Sequence, residues 1–209
     1  MSKGNYLDRY DTATRTKHWT MAVLFILAGL SGLAFFHPAF FFLTNLFGGG
    51  SWTRILHPFL GVGAFAVFAL IYVKLKDHNR FEPVDREWIA KSSEMLKGNK
   101  AAMPPVGRYN AGQKFVFWSM AGGLLVLLVT GITFWQPYFR GFFPIEVIRF
   151  AVVLHALSAV VVILSLIMHV YATIWVKGTL RAMTRGNVSE GWAKQNHPLW
   201  HKEVTGKGQ

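Results

Sequence analysis

Cysteine is absent from the 209 residues, and charged residues make up only 15% of them. Without cysteine the chain cannot form disulfides, hold iron–sulfur clusters or zinc through thiolates, attach haem covalently or use a catalytic thiol. Because soluble domains contain about 25% charged residues, the composition also argues against an ordinary cytosolic protein. Any metal in this chain must therefore depend on histidine, of which there are eight.

Asp, Glu, Lys and Arg are missing from four long stretches, at residues 19–52, 55–73, 115–139 and 150–176. One membrane crossing takes about 20 apolar residues, so the pattern predicts four transmembrane helices. His37-Pro38 and Gly48-Gly49-Gly50 interrupt the first stretch, which predicts a Phe-rich segment at the membrane interface. We predict an all-α integral membrane protein: a four-helix bundle in one domain, residues 1–209, with helices at about 18–36, 53–76, 113–136 and 146–177.

The net charge of +12 is distributed unevenly between the two predicted sides of the membrane. Of the Lys and Arg residues, 19 fall on the side of the termini and 3 on the other. Because Lys and Arg stay inside, we predict that both termini, loop 77–112 and tail 178–209 are cytoplasmic. No loop shows a basic face with stacking aromatics, so nucleic acid is not expected as a partner.

The long loop contains one amphipathic segment, Asp85 to Leu96. Asp85 is a candidate N-cap, and Gly98 follows as a stop signal. We therefore predict one short helix whose apolar side chains rest on the membrane surface.

Histidine is the only ionisable residue type well inside the predicted spans, where ionisable side chains are functional candidates. His18 and His169 lie toward the predicted cytoplasmic ends of the first and fourth spans, and His57 and His155 toward the periplasmic ends of the second and fourth. His155 and His169 share a helix face because 14 residues make nearly four turns. A bis-histidine haem needs two imidazoles at one depth, which predicts the pairs His57/His155 and His18/His169 and two haem b groups stacked across the membrane.

Two other interpretations of the histidines remain open. A single membrane histidine is often a hydrogen-bonded polar residue without a cofactor. A haem-free transporter could use the histidines as a proton relay, although no Asp or Glu lies at mid-membrane to join it. Glycines near the histidines, Gly29, Gly32, Gly61 and Gly63, would let a porphyrin approach the backbone, but small residues also pack membrane helices generally.

Several motifs resemble the di-haem cytochrome b (gamma) subunit of membrane-bound respiratory formate dehydrogenase. The segments that carry the resemblance cover nearly the whole chain: Arg54-Ile55-Leu56-His57-Pro58-Phe59, Arg108 to Lys114 (RYNAGQK) with Val116-Phe117-Trp118, Val147-Ile148-Arg149-Phe150 with His155, Met168-His169-Val170-Tyr171-Ala172, Trp175 to Thr179, and the tail Trp192-Ala193-Lys194 with His197-Pro198 and Trp200. The resemblance implies a subunit of the bacterial cytoplasmic (inner) membrane.

The resemblance also implies partners and a function. An iron–sulfur (beta) subunit and a molybdenum or tungsten catalytic (alpha) subunit would lie on the periplasmic side, with a trimer of heterotrimers as the assembly. Electrons would pass through the haems of His57/His155 and His18/His169 to menaquinone or ubiquinone and contribute to the proton motive force. The positions matching the family's quinone site are Asn110, Gly112, Gln113 and His169.

The residues alone leave the quinone site and the electron donor open. Asn110 and Gln113 are amides that could bind quinone carbonyls, but Asn110 is equally a helix cap. Related cytochrome b subunits serve hydrogenases and thiosulfate reductases, so the donor is indicated only by the resemblance.

Overall fold

The structure, a computed structural model, describes residues 5–136 and 138–206. Its elements are β1 (Tyr6–Asp8), α1 (Thr12–Phe36), α2 (Gly50–Leu75), α3 (Pro83–Ala90), α4 (Ser92–Leu96), α5 (Ala111–Phe134), α6 (Ile145–Trp175), α7 (Thr179–Arg185), β2 (Asn187–Ser189), α8 (Glu190–Asn196) and α9 (Pro198–Thr205). The helices α1, α2, α5 and α6 are long and apolar enough to cross a membrane. The predicted all-α architecture with four membrane helices is confirmed.

Helix α1 starts six residues before its predicted start, because its cap lies outside the apolar stretch. The Asp11 carboxylate accepts a hydrogen bond from the Thr14 amide at 2.8 Å, which satisfies a donor of the first turn. The other oxygen of Asp11 lies 2.6 Å from Lys74 Nζ at the end of α2. The Lys74 ammonium holds the pKa of Asp11 below its usual range. Polar residues of the first turn therefore belong to the helix.

The predicted helix from Asp85 to Leu96 is wrong in two respects. The segment is two helices, α3 and α4, separated at Lys91. The N-cap is Glu82, and Asp85 is the N3 residue of a capping box in which its carboxylate accepts from the Glu82 amide at 2.7 Å. Pro83, at the first helical position, moves the start upstream because its fixed φ suits that position.

The Phe-rich segment after α1 is a 3₁₀ helix, Pro38–Phe47, whose helical conformation was not predicted from the sequence. The His37 ring accepts a hydrogen bond from the Ala39 amide at 3.2 Å and caps its start. Gly48 ends it with a φ of +82°, a conformation that glycine adopts without strain. The exposed rings of Phe41 and Phe42 suit the interfacial position predicted for this segment.

The chain divides into two compact units. The first, here called the helical unit, comprises Thr16–Val73 and Ser119–Ile167. The second, here called the terminal unit, comprises the remaining described residues, from both ends of the chain and from the segment that begins at Lys74. Assignment of residues 1–209 to one domain stays a prediction.

The helical unit has an apolar core to which all four long helices contribute. Its buried members are Met21, Phe25, Ala64, Leu124 and Val162. Helices α5 and α6 approach each other closely at Gly123, where an added Cβ would overlap Cγ2 of Val162. In lipid, such close packing replaces the hydrophobic driving force between helices.

The terminal unit joins the chain ends in a small antiparallel ribbon that the sequence analysis did not predict. β1 pairs with β2 in the register Tyr6↔Ser189, Leu7↔Val188 and Asp8↔Asn187. Five buried residues form its core: Ala182, Val188, Trp192, Ala193 and Trp200. Three of them, Trp192, Ala193 and Trp200, belong to the tail motifs that carry part of the family resemblance. These residues hold the terminal unit together.

Two arginines cross-link the N-terminal segment to the loop before α5. Arg9 donates to the carbonyl of Arg108 at 2.6 Å, and Arg108 donates back to the carbonyl of Arg9 at 2.5 Å. The Arg9 guanidinium lies 4.5 Å from the Trp200 ring and 5.2 Å from the Trp192 ring. Within the described residues neither arginine forms an ion pair, so aromatic faces and carbonyls take the place of carboxylates.

Gly123→Ala should destabilise the detergent-solubilised protein by about 1–3 kcal/mol, because the new methyl group overlaps Val162. Gly122→Ala is the matched control, since nothing lies within 4 Å of a Cβ at that position. Thermal unfolding would show a lower Tm for Gly123→Ala alone, and adding Val162→Ala should recover part of the loss. Equal melting temperatures for the two alanine variants would contradict this packing.

The tail should lose stability in acid because of His197, which is 2% exposed. Burial, followed by the charge of Arg9, lowers the pKa of His197 to about 3, against an ordinary value of 6.5. Below pH 6.5 the unfolded tail therefore binds a proton that the folded tail does not, and stability falls as the pH drops from 6.5 toward 3. Above pH 6.5 this contribution to the pH dependence vanishes.

Hydrogen–deuterium exchange across residues 187–205 measures this effect as a function of pH. His197→Asn retains an N–H donor for the Gly107 carbonyl, which His197 Nδ1 contacts at 2.9 Å, but does not titrate. Its exchange should depend less on pH than that of the parent, whereas His78→Asn, at an exposed position, should match the parent. An unchanged pH profile in His197→Asn would show that another group is responsible.

Candidate functional site

His57 of α2 and His155 of α6 lie together in the helical unit, as their predicted common depth requires. Their ring centroids are 6.3 Å apart, and the ring planes are inclined by 70°. Both side chains are partly buried. Histidine nitrogens bind metal ions at about 2 Å. The two rings are therefore close enough for both to reach one metal ion.

A hydroxyl on the preceding helix fixes the orientation of His57. Ser31 Oγ of α1 lies 2.9 Å from His57 Nδ1 and also 2.9 Å from the carbonyl oxygen of Ala28. A hydroxyl has one hydrogen, and the Ala28 carbonyl can only accept it. Ser31 Oγ must then accept from His57 Nδ1–H, which leaves the lone pair of Nε2 available for a metal.

His155 is held in the same way by α5. Thr130 Oγ1 donates to the Val126 carbonyl at 2.6 Å and lies 2.9 Å from His155 Nδ1. His155 therefore donates its Nδ1–H to Thr130 and also presents an unprotonated Nε2. A second hydrogen bond that fixes tautomer and ring orientation is the usual arrangement of metal-binding histidines.

A glycine follows each of these hydroxyl residues and contacts the same imidazole. A Cβ on Gly32 would lie 3.2 Å from Cε1 of His57, and a Cβ on Gly131 would lie 3.3 Å from Cε1 of His155. Each histidine therefore packs beside a hydroxyl–glycine dipeptide of the helix before it. Ser31, Thr130 and Gly131 were not predicted as site residues from the sequence. A usable signal was present, because a serine or threonine followed by glycine occurs 25 or 26 residues before each of the two histidines.

The donor set fits haem better than a protein-only metal site. In the described part of the chain no group of three or more His, Cys, Asp or Glu side chains could hold a metal ion. Two neutral imidazoles alone suit an iron whose remaining ligands belong to a bound macrocycle. Cβ atoms built on Gly29 and Gly61 would meet nothing within 4 Å, which leaves room beside both helices.

The second predicted histidine pair divides between the two units. His18, partly buried on α1, belongs to the helical unit, and His169, on α6, to the terminal unit. Their pairing stays a prediction.

Asn110 and Gln113 form a reciprocal cap at the start of α5. The Asn110 amide donates to Gln113 Oε1 at 3.0 Å, and the Gln113 amide donates to Asn110 Oδ1 at 3.0 Å. Asn110 therefore caps the helix through its side-chain oxygen. Because both side-chain oxygens are used, the NH₂ groups are left as donors, which is the polarity that a quinone carbonyl needs.

Gly112 lies against Trp88 of α3 rather than against open space. A Cβ on Gly112 would lie 3.0 Å from Cη2 of Trp88 and 3.4 Å from Oδ1 of Asn110. The indole therefore occupies the space beside the backbone of Gly112, one of the positions that match the family's quinone site. Helix α3 covers the first turn of α5, and any ligand there must contact Trp88 as well.

Comparison with known proteins identifies close relatives over the full chain. A family model described as prokaryotic cytochrome b561 matches residues 9–186. The cytochrome b556(Fdn) subunit of nitrate-inducible formate dehydrogenase from Escherichia coli is 41% identical over 204 residues, which cover 98% of this chain and 94% of that protein.

Two further relatives carry similar names. The cytochrome b556(fdo) subunit of Escherichia coli formate dehydrogenase is 43% identical, with 98% and 96% of the two chains covered. The formate dehydrogenase cytochrome b556 subunit of Haemophilus influenzae is 40% identical, with 97% and 85% covered. Four membrane helices, a pair of oriented imidazoles and this agreement over nearly the whole length lead to one conclusion: the chain belongs to the prokaryotic cytochrome b561 family.

Proposed function

We propose that this chain is the membrane cytochrome b subunit of a formate dehydrogenase and passes electrons from a periplasmic iron–sulfur subunit to quinone on the cytoplasmic side. The His57/His155 pair is the observation that carries the proposal. Its two rings are already oriented, with both Nε2 lone pairs free of protons. The names of the relatives supply formate as the ultimate electron source.

Each part of the proposed electron path has its own residues. His57 and His155 would hold one haem b near the periplasm, and His18 and His169 a second one near the cytoplasm. Haem iron, when bound, carries one electron at a time, which suits transfer between iron–sulfur clusters and quinone. The chain's own residues would supply the histidine ligands of the iron and the hydroxyl bonds that set the orientation of the His57 and His155 rings.

The quinone site proposed here is the first turn of α5 together with His169. The oxygens of Asn110 and Gln113 cap the helix, and their NH₂ groups would donate to a quinone carbonyl. Trp88, packed on Gly112, provides an aromatic wall for the ring. Menaquinone and ubiquinone share the carbonyl chemistry that these donors would recognise.

The orientation follows from charge. With 19 Lys and Arg residues on the side of the termini and 3 on the other, both termini, loop 77–112 and tail 178–209 lie in the cytoplasm. Iron–sulfur and molybdenum or tungsten subunits then dock on the opposite, periplasmic face of the inner membrane, in a trimer of heterotrimers. Formate oxidation outside and proton uptake inside would separate charge and contribute to the proton motive force.

Optical spectra of the purified complex test this function. Dithionite-reduced minus oxidised spectra, with haem quantification, should give two b-type haems per chain, and formate alone should reduce both. Reduction by dithionite but not by formate, in a complex that retains its partners, would indicate that the chain serves another enzyme, such as a hydrogenase. Absence of a haem band in folded protein would overturn the cytochrome assignment and favour a histidine relay.

His57→Ala and His155→Ala should each lower the haem content from two to one per chain, because either change removes an axial ligand of the same haem. His78→Ala, at an exposed loop histidine, should retain both haems. Pyridine haemochrome assay and EPR on purified complexes measure the loss. Two haems in both ligand variants would show that this pair does not bind haem.

Thr130→Val should leave the fold intact but weaken haem retention about 10- to 100-fold, because it removes the acceptor for His155 Nδ1–H. The low-spin EPR signal and midpoint potential of the haem should shift as well. Thr133→Val is the matched control: its hydroxyl bonds only the Val129 carbonyl on the same helix. Thr130→Ser should restore both properties, and identical spectra for the two valine variants would contradict the orienting role.

A further inference from the structure

A buried ion pair joins α3 to the first turn of α5 in the terminal unit. Asp85 Oδ2 lies 2.8 Å from Lys114 Nζ, and the two side chains are only 2% and 3% exposed. Burying two charges costs free energy that their attraction only partly offsets, and apolar replacements are often as stable. An ion pair in such a position is therefore weak evidence for stabilisation and a candidate for a chemical role.

One oxygen of this pair is left without a donor. Asp85 Oδ2 accepts from both Lys114 Nζ and the Glu82 amide, whereas Oδ1 is enclosed and has no hydrogen-bond partner among the described residues. A buried carboxylate oxygen without a donor is destabilising and needs an explanation. A role in proton transfer supplies one, because such a step needs a carboxylate oxygen that is not already held by a donor.

The pair is connected to water through one further charged group. Glu82 Oε2 lies 3.6 Å from Lys114 Nζ, and the Glu82 side chain is 62% exposed. Glu82, Lys114 and Asp85 thus form a row of titratable groups from the surface to the interior. These three are the charged side chains that face one another where α3 meets α5.

The inner end of this row lies beside the quinone site proposed above. Lys114 is the residue after Gln113, and its amide donates to the carbonyl of Asn110 at 3.0 Å. Trp88, one turn beyond Asp85 on α3, packs on Gly112. The contact between α3 and α5 therefore places the buried carboxyl of Asp85 beside the first turn of α5, which also carries Gln113 and is capped by Asn110.

We propose that Asp85, recharged through Lys114 and Glu82, delivers the protons that convert quinone to quinol at this site. The proposal rests on the proposed function, which supplies the quinone and a reduced b-type haem as electron donor. Quinone, two electrons and two protons give quinol, and each proton forms an O–H bond on a quinone oxygen. Proton transfer of this kind needs hydrogen-bond reach, directly or through one water.

One cycle delivers one proton and restores the starting state. The cycle starts from the ion pair: the Lys114 ammonium passes a proton to the Asp85 carboxylate and becomes an amine. Asp85, now a carboxylic acid, gives this proton to a quinone oxygen and becomes a carboxylate again. Glu82 then returns a proton from water to Lys114, and a second cycle completes the quinol.

Asp85→Asn in the complete complex tests this proposal. The asparagine keeps the shape and an acceptor for the Glu82 amide but carries no exchangeable acid. Formate-driven quinol formation should fall about 100-fold, the effect of losing a positioned proton donor. Formate oxidation with an artificial dye, haem content and the KM for quinone should stay unchanged, and haem should accumulate in the reduced state during turnover.

Glu87→Gln is the matched control, because Glu87 is on the same helix and forms an exposed pair with Lys91 at 2.7 Å. It should retain the parent rate of quinol formation. A parent rate in Asp85→Asn would overturn the proposal. A parallel loss of haem, dye activity and quinol formation in Asp85→Asn would show that the pair of Asp85 and Lys114 only holds α3 against α5, which would also overturn the proposal.

The double variant Asp85→Asn/Lys114→Gln covers the case in which one unpaired buried charge prevents folding. It removes both charges together, which buried pairs tolerate better than loss of one partner. Slow quinol formation with full haem content is expected, and the parent rate in this folded variant would overturn the proposal. Failure of the parent complex itself to reduce quinone would instead refute the proposed function, and the proton route with it.

Discussion

The proposed cofactor site depends on two hydrogen bonds from imidazole to hydroxyl. Ser31 and Thr130 each use their single hydrogen on a carbonyl of their own helix, so each can only accept from the neighbouring histidine. That constraint fixes the tautomers of His57 and His155 without any cofactor present. These two hydrogen bonds set the orientation of both rings and leave both Nε2 atoms without a proton. Gly32 and Gly131 leave space for the rings beside the neighbouring helices.

Absence of charge was sufficient to predict the four membrane helices, and the positions of His57 and His155 within their spans were sufficient to predict that they share one depth. Both features follow from length and helix geometry, which a sequence shows directly. Orientation of the rings was not predictable in the same way. Serine and threonine are ordinary residues of membrane helices, and their partners become visible only when neighbouring helices are placed together.

Local polar networks explain the remaining differences. Glu82 rather than Asp85 caps α3, and Asp11 starts α1 early, because caps depend on which oxygen reaches which amide. The ribbon of β1 and β2 joins residues about 180 positions apart. Two such short strands do not specify their partner in the sequence, so this pairing was not predictable. The sequence left open whether Asn110 caps a helix or binds quinone. Its Oδ1 atom caps α5, and its NH₂ group can still donate to a ligand.

Each imidazole is oriented within its own helical hairpin, α1–α2 for His57 and α5–α6 for His155. This has a consequence for biosynthesis. The first hairpin leaves the ribosome complete, with its ring already held, before any of the second has been made. Haem could then be captured by two preformed half-sites as the hairpins meet in the bilayer, and little side-chain order would remain to be gained at that step.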